Sequence, residues 1–383
     1  MPNEVSIAVN HLDESYIVVG SNINNLYSSA DSGQSWKEFS IQSTFGIGGD
    51  PCLNSDDSGI FYYAHLSRTP GKKRPEWYDR MVVHRSLDGG QSWNEGVGVG
   101  FNNGKMQDKE WLCSDGNSSS PYKGNLYISW TEFDEYNSSD PDKHSRIRFA
   151  RSTDRGLSFE EPVVVSDMEG NCEDDDQTVE GATVAIGPFG EIYIVWAGNG
   201  KLWMDVSLDG GKTFGVDKVI ADLHEGWTLE IDHIYRSNGM PFIACNPQTG
   251  EIWVCFSDRK EGEVARINLL RSPGDLSVWT TYNVGNPDMG DVFFPNVCLN
   301  PRTGQVGVVY YQCRGKKKMQ VDLYLLSALH APSHQTLSKP FKRPGKKVFF
   351  GDYIDLDYIG KSFIATWTSF EKKKLVVRVK RAE

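Results

Sequence analysis

The chain has 383 residues, a formal net charge of −11 at pH 7 and 24% charged residues. An acidic chain without a basic block argues against nucleic acid or an anionic membrane surface as a partner. No apolar run approaches the roughly 18 residues that a membrane span needs, so membrane insertion is not expected. The N-terminus also lacks the charged, apolar and small-residue succession of a signal peptide. A cytoplasmic protein, or an exported one whose signal is absent from this sequence, would both fit.

The segments between turns alternate apolar and polar residues and are rich in Val, Ile, Tyr, Trp and Phe, which predicts strands and no long amphipathic helix. Each strand-rich unit can be divided into an inner strand, a second strand, a variable loop, a third strand, a turn and an outer strand. In chain order the units begin near Val5, Gly49, Asp108, Glu180, Pro241, Phe294 and Gly351. The last unit offers only three strands.

One eight-residue turn occurs four times, at intervals of roughly 55 to 65 residues, and repeats at such intervals indicate arrays or propellers. In each copy the Asp carboxylate can accept backbone N–H groups, the Gly can take a positive φ, and the final aromatic residue can anchor the outgoing strand. The copies are Ser29-Ala-Asp31-Ser-Gly33-Gln-Ser35-Trp36, Ser86-Leu-Asp88-Gly-Gly90-Gln-Ser92-Trp93, Ser152-Thr-Asp154-Arg-Gly156-Leu-Ser158-Phe159 and Ser207-Leu-Asp209-Gly-Gly211-Lys-Thr213-Phe214.

This turn resembles the Asp-box, or BNR repeat, of sialidases and their relatives, which reads S/T-x-D-x-G-x-S/T-W/F. With seven units, the repeat predicts an all-β protein in which residues 1–383 form a single domain, a seven-bladed β-propeller of four-stranded antiparallel blades. Sialidases have six blades, so a six-bladed ring is the alternative. The repeated Asp is expected to be structural, because it belongs to every repeat and not to one site. Relatives are commonly exported, which favours a secreted or periplasmic location.

In a propeller blade, the start of the inner strand and the loop between the second and third strands lie on one face, opposite the repeated turns. Acidic residues recur at the inner-strand starts, and some aromatic and histidine residues accompany them. Carboxylates crowded around an axis raise one another's pKa, bind a cation or are neutralised by bases. Alternatively, they accept hydrogen bonds from the next blade. The residues concerned are Asp50, Asp108, Glu110, Trp111, Glu180, His233, Asp291, Asp352 and Tyr353.

Arginines from three blades, Arg68, Arg259 and Arg314, follow second strands on the same face. Guanidinium groups clamp carboxylates in bidentate fashion, so these arginines suit an acidic sugar or, alternatively, pair with the acid ring. The resemblance implies an arginine triad, a Tyr–Glu nucleophilic pair and an Asp acid–base. Here that would be Tyr353 with Glu180, and Asp50 or Asp108 as the acid. The Arg-Ile-Pro signature of sialidases is absent, which leaves sialic acid specificity open.

The leading interpretation is a sialidase-like glycoside hydrolase acting on acidic sugars at the axial face. Asp50, Asp108, Glu180 and Tyr353 are its candidate catalytic residues. The candidate substrate-binding residues are Arg68, Arg259, Arg314, Glu110, Trp111, His233, Asp291 and Asp352. In the loop of residues 68–80, Trp77 and Tyr78 form either an aromatic platform for a sugar ring or part of an ordinary solvated loop.

Two other functions remain open. A non-catalytic propeller that binds carbohydrate or protein would use the acids structurally. A polysaccharide lyase would need His65, His233 or Tyr353 as a base beside a group that neutralises a uronate.

The sequence contains no phosphate loop and no paired Cys-x-x-Cys, His-Glu-x-x-His or Gly-x-Ser-x-Gly motif. None of these motifs therefore indicates a cofactor. The one candidate for a cation is Asp174-Asp-Asp176 with Glu169 and Glu173, whose oxygens could hold Ca²⁺. This segment lacks EF-hand spacing, and a solvated acidic loop is the alternative.

Overall fold

A computed structural model describes residues 2–73, 78–327 and 331–382. These residues form seven antiparallel sheets, one small extra hairpin and a single turn of 3-10 helix. The all-β prediction is therefore confirmed.

The first four sheets, or blades, each contain four strands that pair in chain order. From inner to outer strand, their bounds are β1 Ser6–Val9, β2 Ile17–Ser21, β3 Asn25–Ser29 and β4 Lys37–Ser40; β5 Gly49–Ser55, β6 Phe61–Leu66, β7 Met81–Ser86 and β8 Val97–Val99; β9 Met106–Ser114, β10 Leu126–Phe133, β11 Ser145–Ser152 and β12 Val163–Val164; and β13 Glu180–Ile186, β14 Ile192–Gly198, β15 Lys201–Ser207 and β16 Lys218–Asp222.

A two-stranded hairpin, β17 Thr228–Leu229 with β18 Ser237–Asn238, precedes the fifth blade, and the 3-10 helix Pro287–Met289 precedes the sixth. In the sixth blade an extra strand pairs with β25, and the seventh blade has three strands. The bounds are β19 Phe242–Cys245, β20 Ile252–Asp258, β21 Arg266–Ser272 and β22 Thr280–Val284; β23 Val292–Asn300, β24 Gln305–Arg314, β25 Lys318–Leu326, β26 Ser333–Thr336 and β27 Phe341–Lys342; and β28 Asp355–Ile359, β29 Ser362–Glu371 and β30 Lys374–Arg381.

The inner strands make a closed ring of seven, in the order β1, β5, β9, β13, β19, β23 and β28, with β28 in contact with β1. The seven-bladed prediction is thus confirmed over the six-bladed alternative. Asp355 joins the two ends of the chain, because its carboxylate accepts the Ser6 hydroxyl at 2.8 Å and the Ile7 backbone N–H at 2.9 Å. The ring is closed by packing and side-chain hydrogen bonds between the first and last blades.

A β-bulge recurs at the start of the inner strand in blades two, three, four and six, where pairing with the second strand slips. The bulged residues have positive φ, at Asp50, Lys109, Gly181 and Phe294, and Glu4 at the start of blade one has the same conformation. A bulge bends the strand and re-aims its side chains. The repeated bulge therefore directs one set of side chains towards the axis.

The four repeated turns share one hydrogen-bond pattern between the third and fourth strands. In the second copy, Asp88 accepts the Ser86 hydroxyl at 2.8 Å, the Ser92 backbone N–H at 2.9 Å and the Ser92 hydroxyl at 2.6 Å. The Gly90 N–H donates to Ser86 Oγ at 2.9 Å. All these acceptors are used within the turn, which fits the structural role expected for the repeated Asp.

Candidate active site at the axial face

An open cavity of about 310 Å³ lies where the inner strands begin. Its charged lining residues come from blades one, two and three and from the β17–β18 hairpin, and aromatic residues form its rim. The charged residues are Glu4, Asp50, Asp108, Lys109 and Arg236, and the aromatic ones are Tyr78, Tyr136, Tyr235 and Phe349. Among the predicted site residues, Asp50 and Asp108 are thus brought together at one surface.

Lys109 and Arg236 meet beside the cavity on one buried carboxylate, that of Asp352. Lys109 Nζ lies 2.5 Å from Asp352 Oδ2, and Arg236 Nε lies 2.9 Å from Asp352 Oδ1. A second N–H group of Arg236 also donates to Asp352. Burial works to raise the pKa of Asp352, but the Arg236 guanidinium and the Lys109 ammonium outweigh it and hold this pKa well below its usual range.

Asp108 and Asp50 have contrasting environments at the cavity wall. Asp108 is only 8% exposed, and the Lys109 backbone N–H donates to its Oδ1 at 3.0 Å. Burial, with repulsion from Asp50 and in spite of the Lys109 ammonium, raises the pKa of Asp108 to about 7. The Asp50 carboxylate is less buried and lies 3.3 Å from Lys109 Nζ. The pair therefore offers a carboxyl poised to hold a proton near neutral pH beside a carboxylate next to an ammonium.

Glu4 is a cavity residue that the sequence interpretation missed. It is buried, Asn22 Nδ2 donates to its carboxylate, and burial together with the Asp50 charge raises its pKa well above the usual range. The missed signal is positional, because Glu4 stands two residues before Ser6 as Asp50 stands two before Cys52 and Lys109 two before Trp111.

Arg236 was also missed, because it lies in the β17–β18 hairpin and not at the end of a second strand. Its Nη1 lies 3.3 Å from Asp174 Oδ2, which also accepts the Tyr136 hydroxyl at 2.5 Å. The Trp227 indole N–H donates to Asp174 Oδ1 at 3.0 Å. Asp174 thus links the axial cavity to the hairpin.

The candidate Ca²⁺ ligands of the acidic loop do not converge on one point. Asp174 bonds the groups just named, Asp175 accepts the Asn171 amide at 2.9 Å, and Asp176 accepts the Thr228 hydroxyl at 2.7 Å. Across residues 2–73, 78–327 and 331–382, no three His, Cys, Asp or Glu side chains are grouped so as to hold a metal ion.

The described lining residues of this cavity do not include Glu180, Tyr353, Glu110 or Trp111, and Trp111 lines a separate cavity of about 320 Å³. The Tyr353 hydroxyl donates to the Pro51 carbonyl at 3.1 Å, and the Trp111 ring packs edge-on against Tyr353 at 5.7 Å. Glu180 is 1% exposed and Glu110 3% exposed, and burial raises the pKa of both. The expected Tyr353–Glu180 nucleophilic pair is therefore not presented at the cavity surface.

The three arginines expected to form a triad are not gathered at the cavity either. Arg259 Nε bonds Glu225 at 2.6 Å, and another of its N–H groups donates to the Glu230 carbonyl at 2.8 Å. Arg314 donates to Gln320 at 2.8 Å beside a separate cavity. Arg68 is exposed. Arg259 is thus held by the segment before blade five, and Arg314 by an amide of its own blade.

Two further predicted site residues lie outside the cavity lining, and the predicted aromatic platform is described only in part. His233 is half-buried with its Nε2 3.6 Å from Asp232 Oδ2, and Asp291 accepts the Ala265 backbone N–H at 2.9 Å between blades five and six. Of the predicted aromatic platform, Tyr78 lines the cavity, whereas Trp77 falls outside the described residues.

No family model and no curated protein matches the chain. Several solved structures resemble it. A protein of unknown function from Dyadobacter fermentans has a TM-score of 0.53 at 18% identity, over 82% of this chain and 92% of its own. The NanB sialidase from Streptococcus pneumoniae has a TM-score of 0.53 at 10% identity, over 95% of this chain and 82% of its own.

An ulvan lyase, described as a new family of polysaccharide lyase, has a TM-score of 0.50 at 10% identity, over 89% of this chain and 82% of its own. At these identities the likeness extends to the fold, and the chain is placed with the β-propeller proteins. Among the described residues, no helix has the length and apolar character to cross a membrane.

Proposed function

We propose that this protein is a glycan-processing glycoside hydrolase that acts on acidic sugars at the axial cavity. The observation that carries the proposal is the pairing of Asp108, whose pKa is raised to about 7, with Asp50 beside the Lys109 ammonium in one open cavity. Glycoside hydrolysis needs two carboxyl groups whose environments separate their pKa values. The neighbouring folds of a sialidase and a polysaccharide lyase are compatible with such a role.

In this reaction the Asp108 carboxyl gives its proton to the glycosidic oxygen as the C–O bond breaks. The Asp50 carboxylate stabilises the positive charge that develops at the anomeric carbon, and either attacks this carbon or takes a proton from an attacking water. The Lys109 ammonium, 3.3 Å from the Asp50 carboxylate, holds this carboxylate in position at the cavity wall.

A second candidate function is a carbohydrate-binding or protein-binding propeller without catalysis. It is favoured by one observation, the engagement of both cavity cations by the protein's own Asp352. A lyase has less support, because two of its candidate bases are held by other groups. His65 is buried with its ring nitrogens against His84 and the Leu66 carbonyl, and the Tyr353 hydroxyl bonds Pro51.

The test is hydrolysis of fluorogenic sialosides, fluorogenic uronides and uronate-containing oligosaccharides by the wild type, Asp108→Asn and Asp50→Asn. We expect turnover by the wild type and a loss of about 10²–10⁴-fold in kcat for Asp108→Asn, as is usual for a general acid. New reducing ends without new unsaturation identify hydrolysis and exclude elimination.

Asp288→Asn is the matched control, because Asp288 is exposed outside the cavity and the substitution makes the same carboxyl-to-amide change. It should keep wild-type activity. If no sugar of the panel is cleaved while calorimetry detects binding that Asp50→Asn alters, the hydrolase proposal is overturned in favour of the binding propeller.

A further inference from the structure

A second cavity, of about 200 Å³, adjoins the axial cavity and shares Tyr235 and Arg236 with it. It lies against the β17–β18 hairpin. Most of its wall is apolar, and its charged lining residues apart from Arg236 are few. The apolar residues are Trp227, Leu229, Ile231 and Ile234, and the other charged residues are Asp174, Glu230 and Lys346. Sites for drug-sized ligands span roughly 300–1,000 Å³, so this smaller space suits a single sugar ring.

A bonded wall divides the two cavities. Asp174 lines the second cavity, and it accepts the hydroxyl of Tyr136, which lines the axial cavity. Arg236 completes this wall through its contact with Asp174. Tyr235 stands at the shared rim with 55% of its surface exposed, and its ring meets Phe349 edge-on at 6.2 Å. An exposed aromatic ring at the boundary offers an apolar face to a sugar that spans both spaces.

The two cavities differ in whether their cationic side chains are already engaged in ion pairs. In the axial cavity Lys109 and Arg236 are both bound to Asp352, and Glu4, Asp50 and Asp108 add further acidic groups. The glycosidic bond of an acidic sugar can react at that surface, but the anionic substituent of the sugar needs a binding site beside it. Lys346 is exposed at the second cavity and forms no ion pair with any described residue. Its ammonium is available to an anionic ligand, with Glu230 as the opposing charge.

We propose that the second cavity is a neighbouring sugar subsite in which Lys346 binds the anionic substituent of an acidic oligosaccharide. Tyr235 packs against the saccharide where it passes between the two cavities. The inference rests on the proposed glycan-processing function and names its specificity-determining residue. It assigns the preference for acidic sugars to Lys346, and not to the arginines at the ends of the second strands.

The test compares a uronate-containing tetrasaccharide with the same tetrasaccharide after its carboxyl groups are reduced to primary alcohols. Lys346→Gln should raise KM for the acidic ligand about three-fold, as expected for the loss of one solvent-exposed ion pair. The value of kcat, and KM for the carboxyl-reduced ligand, should not change. Glu230→Gln should lower KM for the acidic ligand. The Lys346 effect should shrink as salt rises.

Lys347→Gln is the matched control, because it removes the same charge from the adjacent exposed residue, which does not line the cavity. Equal effects of the Lys346 and Lys347 variants would overturn the subsite, while continued hydrolysis of fluorogenic glycosides would leave the proposed function standing. If nothing is hydrolysed, the same comparison is made by titration calorimetry. Binding that Lys346→Gln alone weakens would then support the subsite and reject the hydrolase.

Discussion

Asp108 and Asp352 are both buried acids beside Lys109, and their pKa values are shifted in opposite directions. Asp352 contacts two cations, whereas the Asp108 carboxylate accepts a hydrogen bond from the Lys109 backbone N–H group. Burial therefore prevails at Asp108 and raises its pKa, and attraction prevails at Asp352 and lowers its pKa. This separation follows from contacts between blades and would make one carboxyl an acid near neutral pH.

Activity should fall as the pH rises through about 7, because Asp108 then loses the proton that it donates.

The free energy of unfolding should also depend on the protonation of Asp108. Since the pKa of Asp108 is higher in the folded than in the unfolded chain, its stabilisation is complete below about pH 4 and is lost as the pH rises to about 7, by at most about 1.4 kcal/mol per pH unit.

Urea unfolding at pH 4, 5.5, 7 and 8 measures this dependence. The stability of Asp108→Asn relative to the wild type should increase from pH 4 to pH 7, and that of the exposed control Asp288→Asn should not. A constant difference between wild type and Asp108→Asn at all four values would contradict the raised pKa.

The two ends of each blade have separate tasks. At one end the inner-strand bulge re-aims side chains such as Asp50 and Lys109 towards the axis. Because four antiparallel strands reverse direction three times, the turn between the third and fourth strands lies at the other end. Its carboxylates bond within the turn and take no part in the cavity. Changes to the turns should therefore alter stability and spare activity.

Asp88→Ala tests this separation. The substitution removes the acceptor of the Ser86 hydroxyl and of the Ser92 N–H and hydroxyl, so we expect a loss of about 1 kcal/mol in the free energy of unfolding. The value kcat/KM per folded molecule should not change. Glu161→Ala, at an exposed acid two residues after the third copy of the turn, is the control and should leave stability unchanged. Reduced kcat in Asp88→Ala would show that the two ends are coupled.

The whole ring depends on a seam between blades that are distant in sequence. Asp355 accepts four hydrogen bonds there, two from Ser6 and Ile7 of blade one, one from the Asn296 amide and one from its own strand. At this seam β1 of blade one contacts β28 of blade seven, and these two strands lie far apart in the sequence. Its closure is held by side-chain and packing contacts across the seam.

Asp355→Ala should lower the free energy of unfolding by about 2–4 kcal/mol, because it leaves buried donors of two blades unpaired. Hydrogen exchange should increase in β1 and β28 before other strands. Thr183→Val removes a contact between blades four and five, where the Thr183 hydroxyl donates to the Pro241 carbonyl at 3.0 Å. It should lower the free energy of unfolding by less, and it should not increase hydrogen exchange in β1. Equal exchange at both seams would refute the special role of the closure.

The sequence by itself determined the features that depend on local patterns. Alternating residues define strands, the Asp and Gly of the repeated turn define where the outer strands begin, and the number of repeats defines seven units. The position of a residue along its repeat also predicted the face on which it lies, and Asp50 and Asp108 line the axial cavity while Asp352 lies beside it.

Only the tertiary structure decided which of these side chains meet and which reach the surface. Lys109 binds Asp352 across the ring, whereas Arg259 binds the nearby Glu225. The Tyr353 hydroxyl donates to the Pro51 carbonyl. Arg236 enters the cavity from a hairpin that carries no repeat signal, and Glu4, although it stands at the repeat position just before β1, is placed in the cavity only by the structure. The physical reason is that distances between blades depend on packing and loop paths, which a pattern along one chain segment does not encode.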